Sequence, residues 1–198
     1  MRAAIVSTKG GTGKTTSAAY LALALHRLGR TMLVDADPQI SAITWKEQAE
    51  PAWPLGLPVF SLPTRTVHRT LLDLSADYEH VVIDTPPGDL GIIRSAIMSV
   101  QLVIVPVAPT GLDLNRIRPT FELLAELEPS HPVDVGVVLT RVRRGTRSSR
   151  EAREVLEELQ SPILETEIPL AEMYAGAFGR VPADLGRYDD LLLELMAP

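Results

Sequence analysis

The chain has 198 residues, 45% of them hydrophobic and 22% charged, with a net charge of −6. That length and composition fit one compact globular domain, and the acidic balance means that any nucleic-acid contact must come from a local basic patch. There is no cysteine, which excludes disulfides, thiolate metal sites, iron–sulfur clusters and cysteine nucleophiles together.

Apolar runs fall in chain order at 3–7, 31–35, 80–84, 102–107, 133–140 and 162–168, with a shorter one at 58–62. Nearly continuous Val, Ile and Leu predicts strands covered on both faces. Helical spacing lies between them, at 14–28, 40–48, 66–75, 90–99, 113–127, 147–159 and 184–196. In 113–127, Leu114, Ile117, Phe121, Leu124 and Leu127 recur at helical spacing and read as core. The alternation predicts an α/β fold over 1–198, with three layers: a mostly parallel twisted sheet and helices on both faces. No stretch approaches the ~20 apolar residues that span a membrane. No leader pattern precedes the first strand, and a cytoplasmic protein is expected.

The first strand runs into Lys9-Gly10-Gly11-Thr12-Gly13-Lys14-Thr15-Thr16, and a helix follows, the context a phosphate-binding loop requires. Gly10, Gly11 and Gly13 let the backbone curl, so that N–H groups of Gly10 to Gly13, Thr12 included, point at phosphate oxygens. The helix adds its positive N-terminal end. Lys14 is placed for the β and γ phosphates of ATP, the Thr15 hydroxyl for Mg²⁺, and Thr16 for the α phosphate. The common pattern wants glycine where Thr8 stands. Two of the chain's three lysines, Lys9 and Lys14, share this one loop.

Carboxylates end two later strands. Asp84 closes "VVID" and reads either as an Mg²⁺ ligand acting through water or as a turn cap. In "LVDADPQ", Asp37 is placed to orient or deprotonate a water, and Asp35 to support the metal. The alternative is that both cap the helix that follows.

"KGGTGKTT", "DADPQ" and "VVIDTPP", in this order and spacing, resemble the ParA/MinD family of deviant Walker A ATPases. The segments "LVIVPVAPTGLDL", "LTRV" and "EIPLAEMYAGAFG" extend the resemblance over nearly the whole chain. It implies a P-loop fold, slow Mg²⁺-dependent ATP hydrolysis, and a homodimer that closes on two ATP molecules. Lys9 resembles the signature lysine that reaches the partner's ATP, Asp37 the residue needed for hydrolysis, and Asp84 the Walker B aspartate. The segment around Thr140, Arg141 and Val142, with Ile168 and Pro169, resembles the frame of the adenine, although many relatives carry Asn where Thr140 stands.

The cargo has two expected forms within this resemblance. The leading one is plasmid or chromosomal DNA, with non-specific DNA and a centromere-binding ParB-like protein as partners. The alternative is a protein cargo, a microcompartment or a chemoreceptor cluster. From another class, a ligase acting on a small metabolite and a non-enzymatic adaptor stand as rivals. The stretch "TRVRRGTRSSR" holds five of the chain's 19 basic residues and no acidic one. Arg143, Arg144, Arg147 and Arg150 are the DNA candidates, the alternative being a solvated helix entry. The tail "RYDDLLLELMAP" is acidic and reads as a packing helix, so no membrane partner is expected. The resemblance is to the small ParA type without an N-terminal helix-turn-helix.

Overall fold

The computed structural model describes residues 1–111, 114, 117–143 and 145–197. Seven strands form one sheet: β1 Arg2–Ile5, β2 Thr31–Asp35, β3 Val59–Ser61, β4 His80–Asp84, β5 Leu102–Val107, β6 Asp134–Val142 and β7 Ile163–Pro169. Their order is β3-β2-β4-β1-β5-β6-β7, and each pairing is parallel. The helices are α1 Lys14–His26, α2 Ser41–Ala49, α3 Val67–Leu74, α4 Leu90–Ile97, α5 Arg118–Leu127, α6 Arg147–Glu158, α7 Glu172–Ala175 and α8 Arg187–Met196.

The strand period of two divides the core. Ala3, Ile5, Leu33, Val82, Ile104 and Val138 point to one face, where α1, α2 and α8 cover them. Ala4, Val6, Val34, Ile83, Val105 and Leu139 point to the other, beneath α3, α4, α5 and α6. Both faces being covered explains the continuous apolar runs. α1 lies deepest: ten of its thirteen residues are buried, between the sheet and α8.

Strand boundaries agree with the sequence to within a few residues, and the short run at 58–62 is the edge strand β3. The helix expected over 113–127 is described as Arg118–Leu127, with a proline in its first turn. Leu112, Asp113, Asn115 and Arg116 lie outside the described residues. The one-turn helix α7 has too few residues for a periodic signal. It is held by aromatic contacts made by residues far apart in sequence: Tyr174 packs on Tyr20 at 5.3 Å and on Tyr188 at 5.5 Å between ring centroids.

The acidic tail packs as expected. α8 lies along α1, and the buried Tyr188 hydroxyl sits 2.9 Å from Ser17 Oγ. Tyr188→Phe leaves the Ser17 hydroxyl buried without that partner. It is expected to cost about 1 kcal/mol, a fall of roughly 2–4 °C in Tm by calorimetry. Among the described residues no helix is long and apolar enough to cross a membrane.

Candidate nucleotide and metal site

β1 lies between β4 and β5, so the loop after it leaves from the middle of the sheet's carboxyl edge, where open α/β sheets bind ligands. Gly13 caps α1 in a left-handed conformation, φ +91°, and Gly11 has φ +79°. These two positions require glycine for the loop to curl. Lys14 is buried, and its Nζ donates to the Lys9 carbonyl at 2.8 Å. Burial lowers the pKa of its ammonium, against the pull of Asp84 and Asp37. The loop thus holds its own lysine coiled inward. Thr8, where the common pattern has glycine, makes long contacts of 3.4 Å to the Thr120 hydroxyl on α5.

Asp84 ends β4 fully buried at the foot of the loop. Thr85 fixes that strand end by donating to the Ile5 carbonyl of β1 at 2.7 Å. Thr15 Oγ1 donates to Asp84 Oδ2 at 2.7 Å. Asp84 Oδ1 is buried and has no hydrogen-bond partner among the described residues. Burial pushes its carboxyl up to about 7, with the nearby Asp35 and Asp37 adding to the rise and Thr15 and Lys14 opposing it.

An orphaned carboxylate oxygen beside a threonine hydroxyl fits a hard cation that prefers oxygen ligands. No group of three acidic or histidine side chains that could hold a metal occurs among the described residues. Two protein donors suit Mg²⁺, which takes the rest of its shell from water and substrate phosphates.

Asp35, expected to support the metal, is engaged by backbone N–H groups. It lies beside Asp84 in the sheet register, fully buried. Its Oδ1 accepts the Asp37 N–H at 3.1 Å, and its Oδ2 accepts those of Ala42 at 2.8 Å and Ile43 at 3.0 Å. Oδ1 thus holds the turn that carries Asp37 and Oδ2 the start of α2, so Asp35 shapes that loop. Burial raises its pKa, and these N–H groups oppose the rise.

Asp37 is 8% exposed, and its Oδ1 accepts the Gln39 N–H at 2.9 Å. The turn is closed by Ile40, whose N–H bonds the Asp37 carbonyl at 2.9 Å and whose φ is +48°. A β-branched residue in that region is strained, and the strain sits three residues from the candidate catalytic carboxylate. No sequence signal marked Ile40.

On the other side of the loop, Gly13, Thr16, Thr140, Arg141, Ile168 and Pro169 line one slot. Of the residues expected around the adenine it contains Thr140, Arg141, Ile168 and Pro169, whereas Val142 is buried in the core on the other face of the sheet. Its volume is about 140 Å³, below the ~300–1,000 Å³ of a site enclosing a whole ligand, which suits a flat base. Leu170, Tyr174 and Tyr188 complete the wall. The sequence marked neither tyrosine. The Thr140 hydroxyl donates to the Thr12 carbonyl at 2.8 Å and so ties β6 to the phosphate loop. Thr140→Val is expected to weaken nucleotide affinity about three- to ten-fold, the value of one lost hydrogen bond, read by fluorescent-nucleotide titration.

The expected arginine patch is divided. Arg147 pairs with Glu151 at 2.6 Å on the exposed face of α6. Arg150 is exposed one turn on. Arg143 instead lines a second cleft with Lys9. Arg153 pairs with Glu167 at 3.0 Å and not with Glu154 or Glu157 on its own helix. Arg144 lies outside the described residues.

The family of the CobQ/CobB/MinD/ParA nucleotide binding domain matches residues 3–180. The chain belongs to this family. Within the ParA/MinD group, a "Maintenance of carboxysome distribution protein A" from Gloeobacter kilaueensis is 37% identical over 167 residues, covering 82% of this chain and 73% of that protein. A "Protein ParA" from Rhizobium radiobacter is 27% identical over 175 residues, covering 86% and 78%. In three dimensions, a plasmid partition protein from Borrelia burgdorferi B31, crystallised with AMPPNP, superposes with a TM-score of 0.81. It is 18% identical, with 98% of each chain covered. The ParA/MinD-like fold is a seven-stranded parallel sheet with helices on both faces, as described above.

Proposed function

We propose that the chain is an ATP-gated positioning ATPase. ATP joins two copies, the pair holds non-specific DNA, and a cargo-bound protein triggers hydrolysis and release. The observation that carries the ATPase reading is the pair made by Thr15 and the unpartnered Asp84 oxygen at the foot of the loop.

The steps follow from the residues. The adenine enters the slot beside Thr140 and Ile168. Lys14 leaves the Lys9 carbonyl and takes up phosphate charge. Asp84 and Thr15 would hold Mg²⁺, which when bound would screen phosphate charge. Asp37 accepts the proton of the attacking water as the new oxygen–phosphorus bond forms and the bond to the departing ADP breaks. Lys9 completes the site of the other copy.

For the cargo, the similarity to a carboxysome distribution protein favours a protein assembly. The similarity to ParA keeps DNA partition as the second reading. Arg147 and Arg150, with Arg144, are proposed for the DNA contact.

Binding to a random-sequence duplex, measured with ATP, ADP and no nucleotide across a salt series, tests the first part. Binding that needs ATP and falls steeply with salt is expected; binding indifferent to nucleotide sinks the gating. Capture of partners from a lysate on ATP-loaded Asp37→Ala protein tests the second. A captured protein that brings one particular DNA sequence with it replaces the protein-cargo reading by DNA partition.

A further inference from the structure

The sheet ends on β3 at one side and on β7 at the other. An edge strand presents unpaired N–H and carbonyl groups on which another chain can pair. β3 is three residues long and presents few, whereas β7 is seven residues long. The longer edge is closed by side chains. Glu194, in the last turn of α8, accepts the Glu165 N–H at 2.6 Å with Oε1 and the Thr166 N–H at 2.9 Å with Oε2. Arg153, on α6, donates from Nη2 to the Leu164 carbonyl at 3.0 Å. The same guanidinium is fixed by Glu167 Oε1, 3.2 Å from Nε and 3.0 Å from Nη2. Arg187 makes a longer contact of 3.4 Å to the Glu167 carbonyl.

These groups meet where the ladder is interrupted. β6 and β7 pair at Val137–Ile163 and at Leu139–Glu167, with a register shift between the two. A bulge of that kind leaves backbone groups of the bulged strand unpaired, and Leu164, Glu165 and Thr166 fall within it. The two closing side chains arrive from opposite layers. α6 packs on one face of the sheet through Ala152 and Leu156, and α8 on the other through Leu191 and Leu192. Burial works to raise the pKa of the Glu194 carboxyl, but Thr166, the Glu165 N–H and Arg153 outweigh it and keep the pKa lowered. Arg153 Nη1 is buried with no hydrogen-bond partner among the described residues, which costs stability. What the arginine supplies is closure of the edge, for which natural sheets give up some stability.

We propose that Arg153 and Glu194 form a clamp that keeps a second copy of this chain from pairing on β7. The excluded occupant is the same strand of that copy. A two-fold axis normal to the sheet sets two β7 strands side by side and antiparallel, and would join two sheets into one. Pairing of that kind needs the Leu164 carbonyl and the Glu165 N–H, and both are occupied. The clamp belongs to the free chain. It does not rest on the ATP-gated pairing proposed above, and it touches neither the phosphate loop nor the base slot, which begins at Ile168 on this strand.

The test is sedimentation velocity without nucleotide, over a wide range of protein concentration. Wild type is compared with Arg153→Met/Glu194→Met, which keeps the packing of both stems and removes both heads. A third protein adds Glu165→Pro to that pair. Proline has no N–H and suits an edge position whose N–H faces away from the neighbouring strand. Each protein is first shown to melt cooperatively. Wild type should stay monomeric. The opened variant should associate at least about ten-fold more tightly than wild type, as an unprotected edge predicts, and Glu165→Pro should return it to monomer. Glu194→Gln, run alone, turns one acceptor into a donor facing an N–H and should associate in the same direction, more weakly; if the paired variant does not fold, this single variant decides by the same comparison. An opened variant that stays monomeric overturns the proposal. Association that survives Glu165→Pro comes from exposed apolar surface and not from strand pairing, and overturns it too. So does a wild type that already associates through this edge without nucleotide.

Discussion

Asp84→Asn should make the nucleotide-free protein more stable while removing its Mg²⁺-dependent chemistry. Asp84 is fully buried, and its carboxyl is pushed up to about 7. A carboxyl whose pKa is raised by folding holds its proton more tightly in the folded state. This contribution is therefore present below the unfolded value, near 4, and is lost as pH rises through about 7. At pH 8 the buried charge costs roughly 2–4 kcal/mol. Asparagine carries no charge and can still accept the Thr15 hydroxyl. The variant should melt roughly 5–10 °C higher at pH 8, and the difference should shrink toward pH 4. Adding Mg²⁺ to the nucleotide-bound protein should stabilise wild type further and leave the variant unmoved, and ATP turnover should fall on the order of 10²-fold or more. A variant no more stable than wild type at pH 8 would mean that Asp84 is not held as a charge out of water, and the metal reading would lose its main support.

The divided outcome for the two strand-end aspartates shows where sequence reading stops. Both follow apolar strands, and both face the same sheet edge. Asp84 is followed by a loop that makes no demand on its oxygens, so one oxygen is left over. Asp35 is followed within seven residues by a helix start whose N–H groups need acceptors, and Ala42 and Ile43 take its Oδ2. Whether a carboxylate serves a metal or a backbone depends on such local claims, which a motif does not contain. Thr140, Ile168 and Pro169, named from the family resemblance, come together in one slot because they lie near the ends of β6 and β7, adjacent strands ending beside the loop. Tyr174 and Tyr188 were not legible, since they reach the slot through an aromatic cluster formed only when α1, α7 and α8 meet. The arginine run read as one patch because sequence proximity was the only guide. In the structure Arg141 and Arg143 line the cleft beside Lys9, and Arg147 pairs with Glu151 on α6.

Lys9→Ala and Lys14→Ala should fail at different steps, though the two lysines lie five residues apart. Lys14 is buried inside the loop and contacts the Lys9 backbone carbonyl, not the Lys9 side chain. Alanine at position 9 keeps that carbonyl, and nothing in the base slot involves Lys9. Lys9→Ala should therefore bind ATP with affinity within about three-fold of wild type, because the groups acting in cis stay in place. It should lose ATP-dependent pairing, and with it turnover, by about 10²-fold or more, as removal of a cation that meets phosphate only across an interface predicts. Lys14→Ala should instead lose ATP binding itself, and pairing only as a consequence. The measurement is a pair of curves for each variant, nucleotide affinity on dilute protein and sedimentation against protein concentration at saturating ATP. Saturating ATP should rescue part of the Lys14→Ala defect and none of the Lys9→Ala defect. If Lys9→Ala weakens affinity on dilute protein as much as Lys14→Ala does, both lysines serve one nucleotide. The trans assignment would then fail for Lys9.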